Sequence, residues 1–124
     1  MAFTASSVRN MALMLGIVLM APAVWAHAHL KHQYPAADAE VAAAPQALTL
    51  NFSEGVEASF SGVTLTGPAQ AVIDTGKAKR NEKDQTQLIV PLNQPLKPGQ
   101  YTVDWHVVSV DGHKTQGQYH FSVK

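Results

Sequence analysis

Apolar residues in the last third of this chain recur at every second position, and that period decides what the chain can fold into. Tyr101, Val103, Trp105 and Val107 share one face of an extended segment, while Thr102, Asp104 and His106 share the other. Tyr119, Phe121 and Val123 repeat the pattern at the C-terminus. Successive side chains of a strand point to opposite faces, so this alternation describes a sheet with one buried and one wet surface. Leu48, Leu50 and Phe52 alternate with Thr49, Asn51 and Ser53 in the same way, and Val63 and Leu65 alternate with Thr64 and Thr66 until Gly67-Pro68 breaks the run. Leu88-Ile89-Val90 is a short apolar strand closed by Pro91, and Ala71 to Asp74 has room for another. Gly76 to Gln85 is polar and charged and reads as a solvated loop. The chain shows no helical stripe, repeat or linker. Several short strands with Pro/Gly turns predict an all-β fold, a Greek-key β-sandwich or barrel in a single domain. Leu96-Lys-Pro-Gly-Gln-Tyr101 further matches the tyrosine corner of such folds.

The segment from Met1 to Ala26 reads as a secretory signal peptide. Arg9 supplies a positive start, Met11 to Met20 is an apolar run too short to span a bilayer, and Ala21, Ala23 and Ala26 are small residues suited to a processing site. Cleavage after Ala26 leaves His27-Ala28-His29-Leu30 as the new terminus. Cleavage after Ala28 fits the small-x-small rule slightly better and leaves His29 first, so the pattern alone does not choose. Loss of Met1 to Ala26 takes Arg9 with it and leaves 8 basic residues against 9 acidic ones. Such a balance gives no reason to expect nucleic acid or anionic lipid as a partner.

The chain has no cysteine, and its four methionines, Met1, Met11, Met14 and Met20, all fall inside the signal segment. The exported part therefore has neither thiolate nor thioether to offer a metal. It does hold all six histidines: His27, His29, His32, His106, His113 and His120. Imidazole, carboxylate and backbone nitrogen together favour Cu(II) over Cu(I). A histidine in first position is a chelator in its own right, since its α-amine and ring Nδ1 can hold one ion, and both lose their protons near neutrality. His113 is the best second imidazole. It ends Ser109-Val-Asp-Gly-His113, in which Asp111 lies two residues earlier and Gly112 permits close backbone approach. Asp-Gly is equally a common turn pair. His27-Ala28-His29 offers a rival arrangement, wrapping Cu(II) with the amine, two deprotonated amides and the His29 ring without any fold. His32 is a weaker rival near the same chain end. His106 and His120 alternate with core residues and read as exposed strand positions. Ser109 and Asp111 beside His113 could mimic a nucleophile site, but nothing in the sequence supplies an oxyanion hole. Glu54 closes a strand and by itself reads as a solvated carboxylate.

Taken in order, these stretches resemble the CopC copper-resistance family, and within it the YobA-like periplasmic forms. The matching pieces are His27-Ala-His-Leu30, Tyr34-Pro-Ala-Ala37, Leu48 to Glu54, Leu96 to Trp105, Ser109 to His113 and Gly117 to Val123, and the match is weakest across Gly67 to Gln85. The resemblance implies an immunoglobulin-like β-sandwich over residues 27–124 and a soluble periplasmic copper carrier rather than an enzyme. It implies processing after Ala26 and one Cu(II) held by His27, Asp111 and His113, with Glu54 as the partner of the His27 amine. It also implies work beside a CopD-type inner-membrane copper transporter. Some members hold Cu(I) in a methionine-rich loop, and this chain lacks those methionines. An N-terminal histidine on a β-sandwich also resembles the lytic polysaccharide monooxygenases, which makes a copper oxidase the competing reading. The small size of the exported part and the carboxylate at Asp111 argue against it.

Overall fold

The structure, a computed structural model, describes residues 27–124; the signal-peptide reading of Met1 to Ala26 lies outside them. Nine strands form two sheets: β1 (Leu30–Tyr34), β2 (Glu40–Val41), β3 (Ala47–Phe52), β4 (Gly62–Thr66), β5 (Val72–Ile73), β6 (Lys79–Asn81), β7 (Asp84–Pro91), β8 (Gly99–Val108) and β9 (Lys114–Val123). One sheet has the order β1-β3-β7-β6 and the other β2-β9-β8-β4-β5. All neighbours are antiparallel except β2 and β9. Among the described residues the only helical pieces are two short 3-10 turns, Ala58–Phe60 and Pro68–Gln70. The all-β sandwich expected from the alternation is the observed fold.

The core is built by the residues that the alternation turns inward. Leu48, Leu50 and Phe52 from β3, with Leu88 and Val90 from β7, face Leu65 of β4, Tyr101, Val103 and Val107 of β8, and Tyr119, Phe121 and Val123 of β9. The β8–β9 ladder runs unbroken from Gly99 opposite Val123 to Val108 opposite Lys114. Tyr101 and Phe121 face each other across it with rings stacked 5.5 Å apart. Trp105 is the link between the sheets. Its ring meets Phe52 edge-on at 5.3 Å and lies over Gly117, its partner on β9. A Cβ on residue 117 would come within 2.5 Å of the indole, so only glycine leaves room for that ring.

Two details differ from the pattern. The polar stretch Gly76 to Gln85 contains β6, the start of β7 and a tight Glu82-Lys83 turn between Asn81 and Asp84. Here the charges belong to an edge strand. Lys79 and Arg80 sit on the rim of the four-stranded sheet, where charge discourages pairing with another chain. Likewise β7 is longer than Leu88 to Val90, because its first half borders solvent and carries polar residues.

The tyrosine corner is present: the buried Tyr101 hydroxyl donates to the Lys97 carbonyl at 2.6 Å. Tyr101→Phe removes that bond and strands the carbonyl, for an expected loss of about 1 kcal/mol. For a domain of this size that corresponds to a fall in Tm of about 4–8 °C, readable by thermal unfolding.

Candidate metal centre

Three segments meet at one end of the sandwich: the β8–β9 turn, the chain after β3, and the residues before β1. The turn, Ser109 to His113, is closed by Ser109 N–H donating to the His113 carbonyl at 2.9 Å and Gly112 N–H donating to the Ser109 carbonyl at 2.8 Å. Gly112 has φ +88°, a left-handed conformation that suits glycine and explains why Gly follows Asp111 here. The turn is pinned to the segment after β3. Val110 N–H donates to the Gly55 carbonyl at 2.9 Å, and Val56 bridges Ser109.

The start of the described chain is held just as firmly. Ala28 is buried in the core, and its carbonyl accepts the Thr115 hydroxyl at 3.0 Å. His29 N–H donates to Ser53 Oγ at 2.9 Å, and Ser53 N–H returns a bond to the His29 carbonyl at 2.8 Å. With Ala28 tied down, His27 falls beside His113. Their rings stand edge-on, with centroids 4.8 Å apart.

Asp111 completes the group. Its Oδ1 lies 3.1 Å from His113 Nδ1 and accepts the Ser109 hydroxyl. These two bonds, the Ser109 one foremost, hold the Asp111 carboxyl below the usual carboxylate range. A lowered carboxylate stabilises the fold above its ordinary pKa, and that contribution fades as pH falls through the lowered value. The Asp111 carboxylate and the His113 ring therefore stand side by side in the turn. Glu54, in the segment following β3, has a buried Oε2 that finds no hydrogen-bond partner among the described residues. Among those residues no three His, Asp or Glu side chains stand in a metal-holding arrangement of their own.

The other histidines are placed elsewhere. His32 is exposed on β1, and His106 is exposed on the outer face of β8 across from Gln116. His120 bonds Thr102 on that same outer face. His29 is exposed, with both backbone groups engaged by Ser53. The Ser109, Asp111 and His113 contacts run in the order hydroxyl, carboxylate, imidazole. Nucleophile activation needs the imidazole next to the hydroxyl, so this order does not support it. Ser53, Ser109 and Thr115 were not singled out from sequence as builders of this centre. For Ser109 the signal existed: the inward alternation of Tyr101, Val103, Trp105 and Val107 continues to residue 109, and a hydroxyl at an inward position needs a partner.

Residues 30–124 match the family model described as the CopC domain. The chain is 68% identical to Protein YobA of Escherichia coli over 124 residues, covering all of both chains. It is 37% identical to the Escherichia coli copper resistance protein C over 127 residues, covering 95% of this chain and 99% of that one. Among solved structures it is similar to CopC from Methylosinus trichosporium, with TM-score 0.73 and 32% identity over 79% of this chain and 94% of that one. It is also similar to PcoC, a methionine-rich copper resistance protein from Escherichia coli, with TM-score 0.72 and 36% identity over 80% of this chain and all of the other.

Proposed function

The chain belongs to the CopC family, and from that premise we propose that it is a periplasmic, non-enzymatic Cu(II) carrier acting in copper homeostasis. One ion is held by the amine and ring of His27 together with Asp111 and His113. The observation that carries this reading is the meeting of His27 and His113, which lie at opposite ends of the folded domain in sequence yet stand with rings 4.8 Å apart. Two imidazoles, an amine and a carboxylate are the nitrogen and oxygen donors that suit Cu(II). Relatives named for copper resistance support copper as the cargo.

The buried, unpartnered Oε2 of Glu54 supports a role as acceptor for the His27 ammonium or amine, since a buried carboxylate oxygen needs a donor. Ala28 supports processing after Ala26. A cut after Ala28 would remove a core side chain and the carbonyl that Thr115 bonds, whereas a cut after Ala26 leaves both in place. A CopD-type membrane transporter is the partner we assign to delivery. Asp111 sets a carboxylate beside His113 where a histidine-brace oxidase needs an open coordination position, so we read the centre as a carrier.

The test is a competitive titration of the mature protein with each oxidation state of copper. We expect one tightly bound Cu(II) per chain and no comparably tight Cu(I), because no methionine follows Met20. Tight Cu(I) binding would overturn the donor set. Peroxide release from the reduced, copper-loaded protein at monooxygenase-like rates would favour the oxidase instead.

A further inference from the structure

We propose that Ser109 is the positioning residue of this centre: its buried hydroxyl holds the Asp111 carboxylate and the His113 main chain in one arrangement, so that both donors are set before copper arrives. The proposal rests on the Cu(II) reading above and adds to it the residue on which the ligand geometry depends.

Ser109 is fully buried, and among the described residues it is the one buried polar side chain in the core. A hydroxyl taken out of water without partners costs free energy, so its place there calls for bonds in return. It makes them all within the turn. Oγ donates to Asp111 Oδ1 and accepts His113 N–H at 3.2 Å. Its backbone N–H reaches the His113 carbonyl at 2.9 Å, and its carbonyl accepts Gly112 N–H at 2.8 Å. One residue therefore grips both proposed ligands of the turn, Asp111 through its side chain and His113 through its main chain.

The anchor is itself immobile. Val56 bridges Ser109 from the segment after β3, and Val110 N–H is bonded to the Gly55 carbonyl. By contrast, the Asp111 and His113 side chains are both partly exposed, at 40% and 46%. Side chains that open to water would otherwise sample several rotamers, and fixing them on metal binding costs entropy. A buried hydroxyl that orders them beforehand removes part of that cost, the usual role of groups standing behind metal ligands. Alanine at 109 keeps both backbone bonds of the turn and the inward methylene position. It deletes only the grip on Asp111 and on the His113 N–H.

The experiment compares mature wild type, Ser109→Ala, Asp111→Asn, the double variant and His113→Ala, measuring Cu(II) dissociation constants and copper hyperfine couplings by EPR. Ser109→Ala is expected to weaken Cu(II) binding by about 10- to 100-fold, the range for partners that orient ligands, and to shift the hyperfine coupling. Because part of the Ser109 grip runs through the carboxylate, Ser109→Ala should cost less affinity in the Asp111→Asn background than in wild type, a non-additivity expected of residues in contact. Additive losses, or wild-type affinity and an unchanged EPR signal in Ser109→Ala, would overturn the proposal. Should Ser109→Ala fold poorly, the isosteric pair Ser109→Thr and Ser109→Val carries the same comparison. Threonine should then bind at least about tenfold tighter than valine, and equal affinities overturn it. His113→Ala separates the two levels. If it keeps wild-type affinity, the Cu(II) reading fails and this proposal with it. If it loses affinity while Ser109→Ala does not, only the role of Ser109 falls.

Discussion

His113→Ala is expected to weaken Cu(II) binding by about a hundredfold or more, while His29→Ala stays within a few-fold of wild type, because removing a ligand costs more than removing the group behind it. The contrast separates a site built by the fold from one built by the chain end alone. A chain-end site wraps the ion with the amide nitrogens of residues 28 and 29 and the His29 ring. Here the His29 N–H is bonded to Ser53, and Ala28 is buried with its carbonyl holding Thr115. Wrapping would extract Ala28 from the core and break those bonds. Stability supplies a second readout. An ion that binds only the folded chain stabilises it by roughly 4 kcal/mol at a thousandfold excess over Kd, a rise in Tm on the order of 15–30 °C for a domain of this size. A chain-end site binds the unfolded chain equally and leaves Tm nearly unchanged. A silent His113→Ala, or a damaging His29→Ala, would end the folded-site reading.

An added residue before His27 is the second large effect. With His27 as the proposed first residue of the mature chain, the addition converts its primary amine into an amide, which gives up its proton far less readily than an ammonium and so makes a poor donor near neutrality. We expect Cu(II) affinity to fall by at least about a hundredfold, the loss of a chelating donor exceeding that of an orienting group. The apo protein should melt within about 2 °C of wild type, since surface changes of this kind stay within about 0.5 kcal/mol. The anchoring contacts begin at Ala28, one residue further on. Equal copper affinity in the extended and native forms, measured with a chromophoric competitor, would place the site elsewhere.

The sandwich was legible because its long strands each have one wet face, so β3, β8 and β9 announce themselves by period two. β2 and β6 were not, since strands of two and three residues are too short to display a period and lie on sheet edges where polarity is expected on both faces. Asp111 and His113 meet because Ser109 to His113 folds as a turn, the reading that Asp-Gly equally allowed, and not because an extended backbone points residues two apart the same way. That His27 reaches them could not be read from spacing: no such rule joins the two ends of a chain, and the link came from family resemblance before Ala28 and Thr115 gave it a physical cause. Ser109 escaped because a serine beside a turn looks ordinary until its register places it inward. The unpartnered oxygen of Glu54 is a fact of packing that residue identity does not carry.

Trp105, wedged between Phe52 and Gly117, has a use beyond joining the sheets. The only other tryptophan is Trp25, inside the segment that ends at Ala26. Once that segment is gone, all indole emission comes from a single ring on the strand that runs into Ser109. Cu(II) is paramagnetic and quenches nearby excited states, so loading at His113 would dim that one fluorophore, and release would restore it. On the proposed processing and copper site, the domain would carry its own optical gauge of copper occupancy, and transfer to an acceptor could be followed in real time without a label.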